Sequence, residues 1–156
     1  MKLFRLNVNS PVGVWGVEGN DLGVTRICLP HERGRASSGT APACVREAAT
    51  QLEQFFSGKR RDFDVQLSSV AATQFQHDVW NALRAIPYGQ VRTYGEVAEA
   101  VHRPRAHRAV GNANHVNPWP IVVPCRRVVA SGGLGGYGGG DQVKRFLLDL
   151  EGVHYD

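Results

Sequence analysis

Hydrophobic and polar positions alternate through residues 1–30. Leu3-Phe4-Arg5-Leu6-Asn7-Val8, Val12 to Val17 and Leu22 to Leu29 each read as a short strand, and Ser10-Pro11 and Gly19-Asn20-Asp21 are turn sequences between them. His31 to Pro42 is polar and rich in small residues, which predicts a loop. The period then changes. Val45, Leu52, Phe55 and Phe56 recur at close to helical spacing, predicting a helix that ends near Gly58. Phe63 to Leu67 alternates again and is expected to rejoin the sheet.

Beyond Ser68 to Thr73, which reads as a linker, the pattern becomes helical. Residues 1–70 are therefore expected to form a small α/β scaffold domain and residues 71–156 a second, mainly helical one. Thr73 and Gln76 have capping-box spacing, and Phe75, Val79, Leu83 and Ile86 form an apolar stripe that stops at Pro87-Tyr88-Gly89. Thr93 with Glu96 repeats the capping logic for a short helix through Val101. Pro104 suits the first turn of another helix, running through Arg108 to Asn114. Two short helices with a bend of roughly three or four residues read as a helix-turn-helix, the second helix carrying Arg105 and Arg108. Ile121-Val122-Val123 is too short for a helix and reads as a buried extended segment leading to Cys125. Gly132 to Gly140 holds seven glycines around Leu134 and Tyr137. It is a loop, either flexible or required for close backbone approach. A last helix starts near Asp141, with Val143, Phe146, Leu147 and Leu150 on its inner face and Glu151 near its end.

Composition narrows the function classes. With 42% hydrophobic and 21% charged residues the chain reads as a soluble globular protein, and no apolar run approaches the roughly 18 residues of a membrane helix. No signal peptide is readable, so a cytoplasmic or nucleoid-associated location is expected. Three cysteines without close pairing argue against a disulfide framework. No cofactor or metal motif is present. The net charge of +4 is modest, but from Ala100 to Gly140 there is no Asp or Glu. Arg103, Arg105, Arg108, Arg126, Arg127, His102, His107 and His115 crowd that stretch, which is either a solvated basic face or a surface for a polyanion.

Cys125 stands between a rigid proline approach and two arginines. Neighbouring cations favour the thiolate, the nucleophilic form, but a guanidinium cannot accept the thiol proton. Cys125 is thus a candidate nucleophile without an adjacent base, or else a small buried hydrophobe. Tyr94 and Tyr137 are aromatic walls or hydroxyl donors around a base-sized pocket, or merely pack. His115 is a base, a phosphate contact or a surface histidine. The glycine spacing matches neither a dinucleotide fingerprint nor a P-loop.

Pro124-Cys125-Arg126-Arg127-Val128, together with Arg108-Ala109-Val110-Gly111-Asn112-Ala113, Asn117-Pro118, and Leu134 to Gly140, resembles the O6-alkylguanine-DNA alkyltransferases. Ile86-Pro87-Tyr88-Gly89 and Thr93-Tyr94-Gly95-Glu96-Val97-Ala98 are similar to the stretch that opens that family's helix-turn-helix. The likeness is specific from Phe75 to Gly152. It implies an α/β (α+β) architecture, with a small ribonuclease-H-like N-terminal domain followed by a mainly helical DNA-binding domain.

The resemblance also implies roles. Cys125 would take the alkyl group from guanine O6 irreversibly, once per molecule, after the base is flipped out of a DNA duplex bound through its minor groove. Arg108 would fill the space of the flipped nucleotide. Tyr94 would press the adjacent phosphate or donate to the base, with Arg105, Asn114 and His115 completing the DNA-facing set. Tyr137 would donate toward O6, Asn117 would hold the cysteine segment, and Glu151 would end a Glu-His-water-Cys relay. A monomer without membrane partner or cofactor is expected. The family writes Pro-Cys-His-Arg-Val, however, and Arg126 stands where the relay histidine belongs, so Glu151 is expected to pair with Arg126 and activity to be reduced. Competing readings are a non-enzymatic binder of alkylated DNA, which usually lacks the cysteine, and a helix-turn-helix transcription regulator.

Overall fold

The computed structural model describes residues 2–155. They fall into two compact units that divide between Val70 and Ala71. The architecture is α+β, with a β-sheet unit first and a mainly helical unit second.

In the first unit, β1 (Phe4–Ser10), β2 (Gly13–Asn20) and β3 (Gly23–Cys28) form an antiparallel meander. The hairpins close where side chains can bond to the turn backbone. Ser10 Oγ donates to the Gly13 carbonyl at 2.8 Å and accepts from Trp15 Nε1 at 3.0 Å, and Asn20 Oδ1 accepts from the Leu22 amide at 2.9 Å. Helix α1 (Ala43–Phe56) buries Val45, Ala48, Ala49, Leu52, Phe55 and Phe56. Phe56 packs on Trp15 with ring centroids 5.3 Å apart. Arg5 ties down the 31–40 loop. Its guanidinium donates to Asn7, Glu18 and the Glu32 carbonyl.

The segment expected to rejoin the sheet does so only at one bridge, Val24 with Leu67. The Gln51 side chain on α1 explains why. It donates to the Asp64 carbonyl and accepts from the Asp64 amide, both at 2.9 Å, so the first half of the segment is bonded to the helix.

In the second unit, α2 (Gln74–Arg84) and α3 (Tyr94–Ala100) both start with the reciprocal capping box that their sequences predict. Trp80 Nε1 on α2 donates to the Ala113 carbonyl at 2.9 Å, fixing α2 against α4 (His107–His115). A two-residue parallel pairing joins β4 (Arg92–Thr93) to β5 (Val128–Val129). Helix α5 (Asp141–Leu150) follows the glycine loop.

Three expectations are corrected here. The connection between α3 and α4 is longer than three or four residues, spanning 101–106, and Pro104 lies in it rather than in the helix. Helix α3 ends in a Schellman motif. The Arg103 amide donates to Ala98 and the His102 amide to Glu99, with His102 at φ 60° in the left-handed position. Pro104 then takes the second position of a turn closed by the Ala106 amide on the Arg103 carbonyl at 2.9 Å, a place its fixed φ favours. Arg105 consequently sits in that turn and not on α4.

Residues 121–123 are buried but not extended. The Val123 amide donates to the Trp119 carbonyl at 2.8 Å, and Ile121 has φ 79°. For a β-branched residue this is strained backbone. Finally, the inner face of α5 is Val143, Lys144, Leu147 and Leu148, whereas Phe146 and Leu150 are only half-buried.

Candidate active site

Cys125 opens a single 3-10 turn, Cys125–Arg127, that leads into β5. Its amide reaches back over Pro124 to the Val123 carbonyl at 2.8 Å, an inverse γ-turn in form. Two asparagines hold the approach. Asn117 Oδ1 accepts from the Trp119 amide at 3.0 Å and its Nδ2 donates to the Val123 carbonyl at 2.9 Å, which closes the strained loop. Asn114 Nδ2 donates to the Cys125 carbonyl at 3.2 Å. The cysteine is 5% exposed.

Around the thiol lie Asn117, Arg126, Tyr137 and Lys144. Burial pushes the Cys125 thiol up. The Asn117 side chain, the Arg126 charge, Tyr137 and Lys144 all pull it down, and burial outweighs them. Cationic neighbours alone therefore do not hold this cysteine as a thiolate. The Tyr137 hydroxyl is buried beside the sulfur, in polar contact with it but without a well-formed hydrogen bond. Burial keeps that phenol protonated far above the usual tyrosine range, with Cys125 adding to the shift.

Arg126 and Arg127 face away from solvent. Arg126 is 1% exposed, and its Nε donates to Glu151 Oε2 at 2.7 Å while its Nη2 lies 2.6 Å from the same oxygen. Arg127 Nε donates to Oε1 at 2.8 Å and its Nη2 to Oε2 at 3.1 Å, and the Gly89 amide adds a further donor to Oε1 at 3.0 Å. One carboxylate thus accepts from two guanidiniums and a backbone N–H. Burial works to raise the Glu151 carboxyl, but Arg126 and Arg127 overcome it and hold the group below the usual carboxylate range. The guanidiniums also donate to backbone carbonyls, Arg126 to Ile121 at 3.0 Å and Arg127 to Ile86 at 2.8 Å, and Arg127 lies over the Tyr88 ring, 5.7 Å from its centroid.

The glycine loop is tied at one carbonyl. Gly136 O accepts from Lys144 Nζ at 3.0 Å and from the Tyr94 hydroxyl at 3.4 Å. Gly135, at φ 76°, is the glycine of close approach, since a Cβ there would lie 3.0 Å from the Ala130 amide nitrogen and 3.1 Å from the Tyr94 hydroxyl.

Residues 74–153 match the family described as 6-O-methylguanine DNA methyltransferase, DNA binding domain. The chain belongs to the O6-alkylguanine-DNA alkyltransferase family. It is 44% identical over 152 residues to a methylated-DNA-protein-cysteine methyltransferase of Methanosarcina barkeri, covering 92% of this chain and 94% of that one. A methylated-DNA-protein-cysteine methyltransferase of Mycolicibacterium paratuberculosis is 44% identical over 151 residues, with 94% and 91% covered. Among solved structures it resembles the Mycobacterium tuberculosis O6-methylguanine methyltransferase, with a TM-score of 0.83 and 40% identity over 96% of this chain and 93% of that one. The Mycobacterium tuberculosis OGT in complex with DNA gives a TM-score of 0.84 at 40% identity, covering 95% and 92%.

Within this family frame, Cys125, Arg126 and Glu151 are buried, with Asn117 and Tyr137 half-buried beside the cysteine. Arg108 and His115 are exposed on α4, Arg105 is exposed in the preceding turn, and Tyr94 is half-buried at the start of α3. Asn114 is corrected. It is 7% exposed and bonded to the cysteine carbonyl, so it belongs to the interior and not to the DNA-facing set. The basic stretch also loses Arg126 and Arg127, leaving His102, Arg103, Arg105, His107, Arg108 and His115 as its exposed part.

Sequence reasoning missed Lys144, which is fully buried against the site. A signal for it existed. Lys144 precedes Leu147 and Leu148 by three and four positions and so shares their apolar stripe.

Proposed function

We propose that this chain repairs O6-alkylguanine in duplex DNA by direct, irreversible and stoichiometric transfer of the alkyl group to Cys125 after base flipping. The observation that carries the reading is the buried Cys125 thiol beside the Tyr137 hydroxyl, at the end of a segment held by Asn117, in a chain of this family. A sulfur anion attacks the alkyl carbon, the carbon–oxygen bond breaks, and its electron pair leaves on guanine O6. Tyr137 donates toward that oxygen as charge develops on it. The product is a thioether, and each molecule reacts once.

Helices α3 and α4 serve as the helix-turn-helix, facing the minor groove, where the base-edge code is degenerate and inspection of any sequence is possible. Arg108 occupies the space of the flipped nucleotide, offsetting part of the extrusion cost of a few kcal/mol. Tyr94 presses the adjacent phosphate, and Arg105 and His115 supply contacts that position without specifying. The N-terminal unit is a ribonuclease-H-like scaffold. The protein acts as a monomer, in the cytoplasm or on the nucleoid; among the described residues no helix is long and apolar enough to cross a membrane.

Glu151 is an anchor for Arg126 and Arg127 in this reading and not the end of a proton relay, because its oxygens already accept from both. Retention of Cys125 favours transfer over lesion binding alone. Incubation with duplex DNA carrying O6-methylguanine, read by intact mass, tests the proposal. One methyl group gained on Cys125 is expected, with none in Cys125→Ala, and an unchanged mass after prolonged excess exposure would sink it.

A further inference from the structure

Lys144 is a basic side chain buried at this site. Its Nζ is fully enclosed, donating to the Val128 carbonyl at 2.6 Å and to Gly136 at 3.0 Å. Among the described residues no carboxylate lies within ion-pair distance of it. The two acceptors bracket the chemistry. Val128 follows the Cys125–Arg127 turn directly, and Gly136 precedes Tyr137.

The count of donors is informative. An ammonium carries three N–H groups, whereas a neutral amine carries two and a lone pair. With two carbonyls as its acceptors, Nζ as an amine has both N–H groups matched and keeps a lone pair able to accept a proton. We propose that Lys144, as a neutral amine, accepts the proton of the Cys125 thiol, taking the part left vacant by the histidine that Arg126 replaces. This inference rests on the alkyltransferase reading of the site.

The other titratable groups around Cys125, Arg126 and Lys144 are unable to take that proton. Arg126 and Arg127 are guanidiniums, Glu151 is occupied and held below the carboxylate range, and Tyr137 and Tyr94 are both pushed up by burial and stay protonated. Asp141, in the first turn of α5, is exposed. Lys144 is the exception: burial pulls it down to about 8, with Cys125 and Asp141 pushing the other way. Cys125 and Lys144 thus each favour the charged form of the other.

The step balances. The S–H bond breaks and an N–H bond forms, giving a thiolate and an ammonium. The thiolate forms the S–C bond, the C–O bond breaks with its electron pair going to guanine, and the ammonium's extra proton returns through solvent to the released base. Below about pH 8 the pair holds two protons and is idle. Removing one leaves the reactive state, so the rate rises with pH through that region and then levels.

Single-turnover methyl transfer from O6-methylguanine duplex, followed from pH 6 to 9.5, tests this in Lys144→Met, Lys144→Arg, Arg126→His and the Arg126→His/Lys144→Met double variant. Lys144→Met and Lys144→Arg should each lose about 100-fold at neutral pH and the inflection near pH 8. In the Arg126→His background, Lys144→Met should cost less than about threefold, because the histidine supplies the base. Two results overturn the proposal: Lys144→Arg retaining the rate, which makes charge alone sufficient, or the double variant losing as much as Lys144→Met, which makes Lys144 only a tether for the loop. If Lys144→Met does not fold, Lys144→Arg and the unaltered protein's pH profile decide, and a profile flat near pH 8 counts against it. Absence of transfer from both the unaltered protein and Arg126→His overturns the alkyltransferase reading, and this inference with it.

Discussion

Arg126 Nε donates to Glu151 Oε2 at 2.7 Å, and both side chains are buried. Where the resemblance expects a histidine, this chain has a fixed cation, locked to the Glu151 carboxylate. Arg127 binds the same carboxylate from the other side, so the ion cluster holds the Cys125 turn to the end of α5. A buried charge left without its partner is strongly destabilising, more so than an exposed one.

Glu151→Gln should therefore destabilise the second unit by roughly 3–5 kcal/mol, since two guanidiniums lose their shared counterion. The pH dependence follows from the direction of the shift. Because the folded carboxyl is depressed, its contribution is present above the unfolded value of about 4.3 and is lost as pH falls through the lower folded value. Thermal unfolding across pH 2.5–7 checks both points. The unaltered protein should lose Tm steeply below about pH 4, and Glu151→Gln should show a flatter profile in that range.

Arg126→His introduces the histidine that the resemblance expects and gives Cys125 a second group able to accept its proton, beside Lys144. Methyl transfer at neutral pH should rise by at least about tenfold, within the range ascribed to one positioned base. The stability change is of opposite sign, because a neutral imidazole removes part of the charge that balances Glu151. Stopped single-turnover kinetics and thermal unfolding on the same samples separate the two effects, and an unchanged rate would show that the missing histidine does not limit transfer.

The exposed arginines of the acid-free stretch should divide by position. Arg105→Ala, in the turn before α4, should weaken binding to any duplex uniformly and reduce the slope of log affinity against log salt by about 0.9. Arg108→Ala should slow transfer more than it weakens undamaged-DNA binding, since its proposed part is in extrusion. Fluorescence anisotropy on damaged and undamaged duplexes between 50 and 200 mM salt distinguishes them. Equal effects on both duplexes for Arg108→Ala would remove it from that role.

Gly135→Ala should be more disruptive than Ala at Gly132 or Gly136. At Gly135 the backbone is left-handed and the new methyl would press on the Ala130 amide nitrogen and the Tyr94 hydroxyl, whereas Gly132 and Gly136 have nothing within 4 Å of that position. A loss of roughly 1–2 kcal/mol and slower transfer are expected for Gly135→Ala, with little change at the other two. Thermal unfolding and the mass-shift assay read the comparison.

Much of this organisation was legible in residue order. Alternation marked the three strands of the meander, helical spacing marked α1 and α2, and two Ser/Thr-type caps with Gln or Glu three residues on located the starts of α2 and α3. These are local signals, decided by side chains that contact their own turn of chain. The run around Cys125 pointed to the site and to the family for the same reason, being contiguous.

What the sequence could not determine was which partners distant residues would find. Pro104 suits either a first helical turn or the second position of a β-turn, and the Schellman closure of α3 decided for the turn. The resemblance places Asn114 with the DNA-facing residues, yet packing buried it against the Cys125 carbonyl, and the partners of Lys144, the Val128 and Gly136 carbonyls, come from segments that only the fold brings to it. The pairing of Glu151 with Arg126 is expected from the resemblance and is present, but that Arg127 shares the same carboxylate and that both arginines leave the basic surface for the interior was decided by the fold. Burial is the physical reason in each case. It turns an exposed, solvated group into one whose protonation and hydrogen bonds depend on neighbours brought together only by the fold.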